Sequence, residues 1–260
     1  MSDTQARPET VHLAVARGLA RITLDRPPVN VLTTSMMRDL ATALRRVAAD
    51  DTVRVVRLDA AGKVFSAGVD VGDHMGDALP PMMDALADLF VAFESVPEPI
   101  VAVVSGAALG GGLEVVLGCD LVVASEKATF GQPEIKLGLF APPATVLLPR
   151  RIGLGAATGL LLTGESVGAV EARRLGLVNE VFSVEGFDDA AVAWIEKLLA
   201  LSGAALRHAK RALRESSSRP LREAHDAVHE IYVKELMMTE DAHEGLRSFV
   251  EKRPSAWKHR

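Results

Sequence analysis

The sequence has little cysteine, no excess of positive charge and no long apolar run. Cys119 is the single cysteine among 260 residues, which excludes a disulfide within the chain and any cysteine-rich metal site. The net charge of −5 gives no basic surface for nucleic acid or an anionic membrane. No apolar stretch is long enough to span a bilayer, and the polar N-terminus MSDTQARPET does not resemble a signal peptide. We therefore expect a soluble, cytoplasmic protein.

Two well-known site patterns are not matched by the sequence. The segment GLGAATG at 153–159 has the spacing GxGxxxG rather than GxGxxG, so we do not expect a dinucleotide site. A local cluster of acids and one histidine matches no metal-binding pattern, and we interpret it as a solvated loop: Asp70, Asp73, His74 and Asp77.

The first two thirds of the chain alternate between strand and helix patterns. Apolar alternation around Gly18 predicts a β-hairpin, and apolar residues at helical spacing predict a helix over 35–49. Strand and helix patterns continue at 53–60, 79–96, 99–106 and 119–125, with a short glycine-led helix before the last. Such alternation is typical of βαβ units, so we predict an α/β fold with a parallel sheet.

After about residue 185 the pattern becomes helical. Four segments have helical spacing of apolar residues: 187–201, 203–217, 221–239 and 241–252. We therefore divide the chain into a core over 1–185, which carries the site, and a helical C-terminal region over 186–260. The long apolar faces of these helices fit packing against another subunit and ordinary packing within one chain equally well, and both interpretations stay open.

The segment GAALGGGLEVVLGCD at 106–120 places three glycines before Glu114 and an apolar stretch. A helix that begins near Gly111 leaves several amides without a partner inside the helix, and its N-terminus carries partial positive charge. Glycine lets such amides approach a bound group closely, and Glu114 lies about one turn further on. The segment therefore fits a site for an oxygen that becomes negative, or a tight turn in which Glu114 only complements the helix dipole.

Two other segments favour a site. GKVFSAGVD at 62–70 has small residues around Gly68, where a second backbone amide can be exposed. Two amides on separate loops are what an oxyanion hole requires. FGQPEIKLG at 130–138 adds Glu134 behind Pro133, a position that by itself also suits an ordinary first-turn helix residue. Together the three segments supply two amides and two carboxylates.

The same segments resemble the crotonase family, also called the enoyl-CoA hydratase/isomerase family. FSAGVD, ALGGGLE, CDLVVASEKATFGQPEIKLG, LTGESVGAVEARRLGLVNEV and LRSFVEKR occur in the family's order and spacing over nearly the whole chain. The resemblance implies a spiral core of ββα units, followed by helices that trimerise, so a homotrimer or a hexamer built as a dimer of trimers is expected. It implies an acyl-CoA substrate, with coenzyme A as part of the substrate, and no separate cofactor or metal.

The resemblance also implies roles for individual residues. The backbone amides of Val69 and Gly111 would form an oxyanion hole for the thioester carbonyl. Glu114 and Glu134 match the two acids of the family's hydratases, and we assign the general base to Glu114 and the general acid to Glu134. Further substrate contacts are implied for Lys63, Ala67, Gly68, Asp70, Gly110 and Pro142 and, from a neighbouring subunit, for Phe249 and Lys252.

The chain departs from the family's pattern at two places. After PEIKLG, hydratases of the family usually carry a PGAGG-like stretch, whose first glycine amide helps to hold the water. Here the chain reads LFAPPATVLLPRR, and Pro142 at that place has no N–H. Gly72 stands where a lysine is often found, so we expect different contacts to the CoA phosphates. SAGVDVGDH and PEIKLGLFAPPA resemble the branch that hydrates cyclohexa-1,5-diene-carbonyl-CoA.

The main hypothesis is therefore a hydratase that adds water to an α,β-unsaturated acyl-CoA. A double-bond isomerase or a thioester hydrolase would fit the same scaffold, because one glutamate could shuttle a proton or activate water on the carbonyl. A non-catalytic binding or RNA-associated protein is an alternative of another class. The acidic balance of the chain and the intact pair of carboxylates argue against it.

Overall fold

A computed structural model describes residues 9–260, so most of the polar N-terminal stretch lies outside the described residues. The strands within this range are β1 Val11–Ala16, β2 Leu19–Leu24, β3 Val55–Ala60, β4 Ile100–Val104, β5 Ala108–Leu109, β6 Leu121–Ser125, β7 Thr129–Gly131, β8 Ser166–Gly168 and β9 Glu180–Phe182. The α-helices are α1 Thr34–Ala48, α2 Leu79–Ser95, α3 Gly111–Gly118, α4 Pro142–Ile152, α5 Leu154–Thr163, α6 Ala169–Leu175, α7 Phe187–Leu199, α8 Gly203–Ser216, α9 Leu221–Glu230 and α10 Glu240–Glu251.

A six-stranded sheet with the order β1-β2-β3-β4-β6-β9 forms the centre of the fold. β1 and β2 form the predicted antiparallel hairpin, with Val11 opposite Leu24. From β2 to β9 all neighbours are parallel, which confirms the predicted α/β class and the parallel sheet. Because helices connect these strands, the carboxyl ends of β3 and β4 meet at one edge of the sheet.

A second, three-stranded sheet with the order β5-β7-β8 was not predicted. Its strands are two or three residues long, too short to show a period in the sequence. Leu109 pairs with Gly131 in this sheet, and the amide of Gly110 donates to the carbonyl of Gly131 at 2.9 Å. The small sheet thereby brings the glycine-rich segment and the segment that contains Glu134 together.

Apolar side chains cover both faces of the large sheet. The main core fills the face under α1 and α2, and it includes Cys119, which is buried as expected. A second cluster on the other face joins Val55, Val101 and Val123 to Ala191 and Ile195 of α7. Such double coverage explains why the central strands are continuous apolar runs rather than alternating ones. α7 packs on the sheet although it follows residue 186, and the division of the chain at that residue stays a prediction.

The C-terminal region is helical, and α7, α8 and α10 confirm three of the four predicted helices. The prediction of one helix over 221–239 is wrong, because α9 ends at Glu230 and continues as a π-helical turn and a 3₁₀ turn. Thr239 then has extended backbone, and its hydroxyl caps α10 by accepting from the amide of Ala242 at 3.1 Å. Apolar spacing persists through all these turn types, so the pattern does not reveal the break. Within residues 9–260, each helix is too short or too polar to span a bilayer.

Candidate active site

A cavity lies between α2, the loop after β3, the start of α3 and the segment 133–142. It encloses about 970 Å³ of empty space, its mouth included. Eight of the site residues predicted from the sequence line it: Ala67, Gly68, Val69, Gly110, Gly111, Glu114, Glu134 and Pro142. The structure therefore brings the three predicted segments into one site.

The other predicted substrate contacts lie outside the lining of this cavity. The carboxylate of Asp70 closes its own loop by accepting from the amide of Gly72 at 2.8 Å. Lys63 is exposed on the surface. Phe249 is 85% exposed on α10, and Lys252 is the residue that ends that helix. The roles predicted for Phe249 and Lys252 concern a neighbouring subunit, and they stay predictions.

Two backbone amides lie side by side at the floor of the cavity. Leu32 donates to the carbonyl of Gly68 at 2.8 Å and accepts from Asp70 at 3.0 Å, which turns the amide of Val69 to the other side. That amide has no acceptor among the described residues, and Gly111, as the first residue of α3, has no partner within its helix. A Cβ added to Gly111 would stand 3.2 Å from the nitrogen of Val69, which shows how close the two loops come.

Gly110 explains why the glycine-rich segment must lack side chains. Its φ of +52° is a conformation that L-residues rarely adopt. A Cβ at this position would stand 2.4 Å from Oε1 of Glu134, well inside contact distance. The glycine therefore serves two purposes, since it permits the turn into α3 and leaves room for the carboxylate of Glu134 above it.

Glu114 lies in the first turn of α3 and is only 2% exposed. Its pKa is raised to about 8, mainly by burial; a hydrogen bond from Ala144 opposes the shift, and the nearby Glu134 carboxylate contributes to it. The amide of Ala144 donates to Oε1 of Glu114 at 3.0 Å. Because burial disfavours the charged form, Glu114 holds a proton near neutral pH in the cavity without substrate.

The segment that departs from the family's pattern supplies that amide. Pro142 and Pro143 occupy the first turn of α4, where proline needs no hydrogen-bond donor. Ala144 is thus the first residue of α4 that has an N–H, and this N–H is directed at Glu114 rather than at the open cavity. With prolines at 142 and 143, the first available amide of this segment therefore donates to Glu114 instead of to a water molecule.

Glu134 lies in a 3₁₀ turn, Pro133–Leu137, and is half-buried. Burial raises the pKa of Glu134, and a hydrogen bond from its own backbone opposes that rise, as does the positive charge that His74 carries when protonated. The buried amide of Gln132 lies 2.9 Å and 3.2 Å from the two carboxylate oxygens. Since those oxygens only accept when ionised, the NH₂ group of Gln132 must face them. Gln132 therefore orients Glu134 and favours its charged form.

Sequence reasoning missed several residues of the site. Gln132 is adjacent to the predicted acid in FGQPEIKLG, and this nearness was the available signal. Phe140 is another of them. One face of α2 supplies much of the apolar wall through Leu79, Met82, Met83 and Leu86. The helix was predicted, but which face meets a cavity depends on how α2 packs against the sheet, and periodicity does not show this.

The interpretation of the loop after β3 as solvated is wrong for two of its residues. Asp73 accepts from the amide and the hydroxyl of Thr34, each at 2.8 Å, and so anchors the loop to the start of α1. His74 lines the cavity, with Nδ1 2.9 Å from the carbonyl oxygen of Asp70. Across residues 9–260, no group of three metal-ligating side chains lies close enough together to hold a metal ion.

Comparisons with known proteins identify the family of the chain. A family model described as enoyl-CoA hydratase/isomerase matches residues 14–260. Cyclohexa-1,5-dienecarbonyl-CoA hydratase of Thauera aromatica is 40% identical over 93% of both chains. The 2,3-dehydroadipyl-CoA hydratase of Escherichia coli is 34% identical over 92% of this chain and 94% of its own. The crystal structure of an enoyl-CoA hydratase from Mycobacterium smegmatis superimposes with a TM-score of 0.91 at 33% identity, covering 96% of this chain and 99% of its own.

Proposed function

The chain belongs to the enoyl-CoA hydratase/isomerase family and is an enzyme of the enoyl-CoA hydratase type, and we propose that Val69, Gly111, Glu114 and Glu134 carry its reaction. In this proposal the enzyme adds water across the double bond of an α,β-unsaturated acyl-CoA. One observation carries it: two backbone amides without a partner among the described residues lie beside the buried Glu114 and the half-buried Glu134 in a single, largely apolar cavity.

The amides of Val69 and Gly111 hold the thioester oxygen. Attack of water on the β-carbon moves electrons through the conjugated system and gives that oxygen enolate character. Each amide donor that is already in place stabilises such charge by about 3–4 kcal/mol in the transition state. The N-terminus of α3 adds partial positive charge at the same point. The chemistry of the site thus needs only groups that the chain itself supplies.

The two carboxyl groups share one proton and move it between water and carbon. One of them takes a proton from the water as that water attacks the β-carbon, and the other delivers a proton to the α-carbon. The assignment of the base to Glu114 stays a prediction. The more complete burial of Glu114 and the amide of Gln132 on Glu134 favour the reverse order in the cavity without substrate.

Hydrogen exchange separates the two roles. A saturated acyl-CoA in deuterium oxide exchanges its α-hydrogen only through the group that delivers the α-proton. Of Glu114→Gln and Glu134→Gln, the variant that loses this exchange identifies that group, and the variant that keeps it identifies the base. Both variants should lose hydration by on the order of 10²-fold or more. Hydration that persists within a few-fold in both would contradict the proposed chemistry.

We further propose an alicyclic, uncharged dienoyl thioester as the substrate. Apolar residues of α2 and Phe140 form walls of the cavity, and among residues 9–260 its lining includes no lysine or arginine that could pair with an acidic acyl chain. The similarity to the hydratase of Thauera aromatica supports the same choice. Assays should show faster hydration of cyclohexa-1,5-diene-carbonyl-CoA than of crotonyl-CoA, with a gain of one water by mass. Fast turnover of crotonyl-CoA alone would overturn the choice, and free CoA or an isomer of unchanged mass would indicate hydrolase or isomerase activity.

A homotrimer or a dimer of trimers remains part of the proposal. Large apolar side chains are exposed along the C-terminal helices, and they include Leu213, Leu221, Leu246, Phe249 and Val250. Patches of this kind mark surfaces that another protein covers. Native mass spectrometry should find three or six copies, and a monomer would contradict this assembly. The cytoplasmic location likewise stays a prediction.

A further inference from the structure

His74 lines the same cavity but has no role in the reaction as proposed. Among the described residues that line the cavity, Glu114, Glu134 and His74 are the three with titratable side chains. The neighbouring wall consists of apolar side chains such as Val71, Leu79 and Met83. A polar ring in such surroundings marks a point where the cavity can recognise a polar atom of the acyl group.

The position of the imidazole ring is fixed from two sides. Asp73 anchors the turn Gly72–His74 to the start of α1 through the amide and hydroxyl of Thr34. Nδ1 of His74 lies 2.9 Å from the carbonyl oxygen of Asp70. Because a carbonyl oxygen only accepts, Nδ1 carries the hydrogen, and Nε2 of the neutral ring is left as an acceptor.

His74 and Glu134 both line the cavity, and among the described residues no hydrogen bond or ion pair joins their side chains. A positive charge on His74, in its protonated form, lowers the pKa of the Glu134 carboxyl group, so the two side chains lie near each other. The two groups thus face one region of the cavity from different elements, the loop after β3 and the 3₁₀ turn 133–137.

On the basis of the proposed function, we propose that His74 determines specificity by accepting, at Nε2, a hydrogen bond from the hydroxyl group that hydration places on the acyl chain. Glu134 contacts the same oxygen from the other side. The unsaturated substrate has no such hydroxyl, so the contact favours the attacking water and the hydrated product. His74 itself exchanges no proton in this role.

Binding of matched ligands tests the proposal. The probes are 2-hydroxycyclohexanecarbonyl-CoA and cyclohexanecarbonyl-CoA, which differ by one hydroxyl group, and 3-hydroxybutyryl-CoA with butyryl-CoA as a linear pair. His74→Asn keeps a donor near the place of Nδ1 but loses Nε2, His74→Phe keeps only the ring shape, and His74→Gln places an amide oxygen near Nε2. Calorimetry should show that the Asn and Phe variants lose roughly tenfold of the preference for the hydroxylated ligand. His74→Gln should restore part of that preference.

His208 provides a matched control. Its Nδ1 lies 2.8 Å from the carbonyl oxygen of Ala204, four residues earlier, but its ring lies on α8 away from the cavity. His208→Asn should leave both affinities unchanged. An unchanged preference in His74→Asn and His74→Phe would overturn the inference, as would an equal loss for both ligands, which indicates a structural role. If the unaltered enzyme bound neither ligand of either pair, the proposed function itself would fall.

Discussion

Glu114 in the cavity and Asp120 at the junction with the C-terminal helices are two acids that the fold treats in opposite ways. Asp120 receives Nζ of Lys210 at 2.6 Å and a guanidinium nitrogen of Arg214 at 2.9 Å, so two cations neutralise it. Glu114 is more buried and receives one backbone amide, with no cation within ion-pair distance among the described residues. Burying an acid without a cation costs stability, and it is accepted where the proton is needed for chemistry.

The largest expected effect comes from neutralising each acid in turn: the change at Glu114 should lower activity, and the change at Asp120 should lower stability. Glu114→Gln should lower kcat/KM by on the order of 10²-fold or more, because an amide cannot exchange the proton. Asp120→Asn should leave kcat/KM within about twofold but lower the free energy of unfolding by roughly 2–4 kcal/mol, because Lys210 stays buried beside a neutral partner. Steady-state kinetics and urea denaturation measure the two quantities. Equal effects of both variants on activity would remove the contrast.

The pH dependence of stability tests the same contrast. The pKa of Glu114 is raised from its ordinary value of 4.5 to about 8 in the folded chain, mainly by burial. Between these two values the folded state binds a proton that the unfolded state has lost, so this group makes stability fall as the pH rises from about 5 to 8. Glu114→Gln removes the loss, and it should stabilise the enzyme at pH 8 by up to about 5 kcal/mol, with little effect at pH 5. Thermal unfolding at both values checks this, and a gain of the same size at each would refute it.

Removing a cation from Asp120 should have a smaller effect on stability. Lys210 is 7% exposed and also donates to the carbonyl oxygen of Glu98 at 2.6 Å. Lys210→Met should cost roughly 2–3 kcal/mol, since Arg214 still holds the acid. Lys234→Met, in an exposed pair with Glu230, is the matched control and should cost under about 1 kcal/mol. Similar losses in both variants would show that burial does not decide the contribution of these pairs.

The smallest expected effect tests whether position 110 must lack a side chain to leave space for the carboxylate of Glu134. Gly110→Ala should reduce kcat/KM by about tenfold, because its Cβ would displace the carboxylate of Glu134. Gly76→Ala is the control, since its φ of +54° nearly equals the +52° of Gly110 and nothing lies within 4 Å of its Cβ. Both variants place a side chain at a φ near +50°, but Gly76→Ala should keep its activity. If the two variants lost activity equally, backbone strain rather than the contact with Glu134 would be the cause.

Local patterns predicted much of the fold. The hairpin around Gly18, the parallel strands and the helices α1 and α2 follow from periods of two and 3.6 residues, which neighbouring side chains alone create. The π-helical turn at Ile231–Glu235 escaped prediction, because apolar spacing does not distinguish it from an α-helix. The short strands of the second sheet escaped for a related reason, since they are stabilised by pairing with distant segments.

The candidate site was predictable where its groups belong to the backbone or to a quoted motif. Gly68, Gly111, Glu114 and Glu134 stand in segments whose composition already indicated an oxyanion site. The role of His74 was not predictable, because a loop segment that contains several polar residues is usually solvated. Its place on the cavity wall depends on the bond between Asp73 and Thr34, which lie 39 residues apart.

The sequence by itself determined the hairpin, the central parallel strands and the helices α1 and α2, which follow from chirality, periodicity and residue type acting between neighbours in the chain. It also determined the glycines before Glu114 and, through its motifs, the resemblance to the family. Only the tertiary structure decided that Ala144 bonds to Glu114, that Glu134 lies above Gly110 and that His74 faces the cavity. Such contacts join segments that are far apart in sequence, and they exist only because packing the two sheets and α2 brings those segments together.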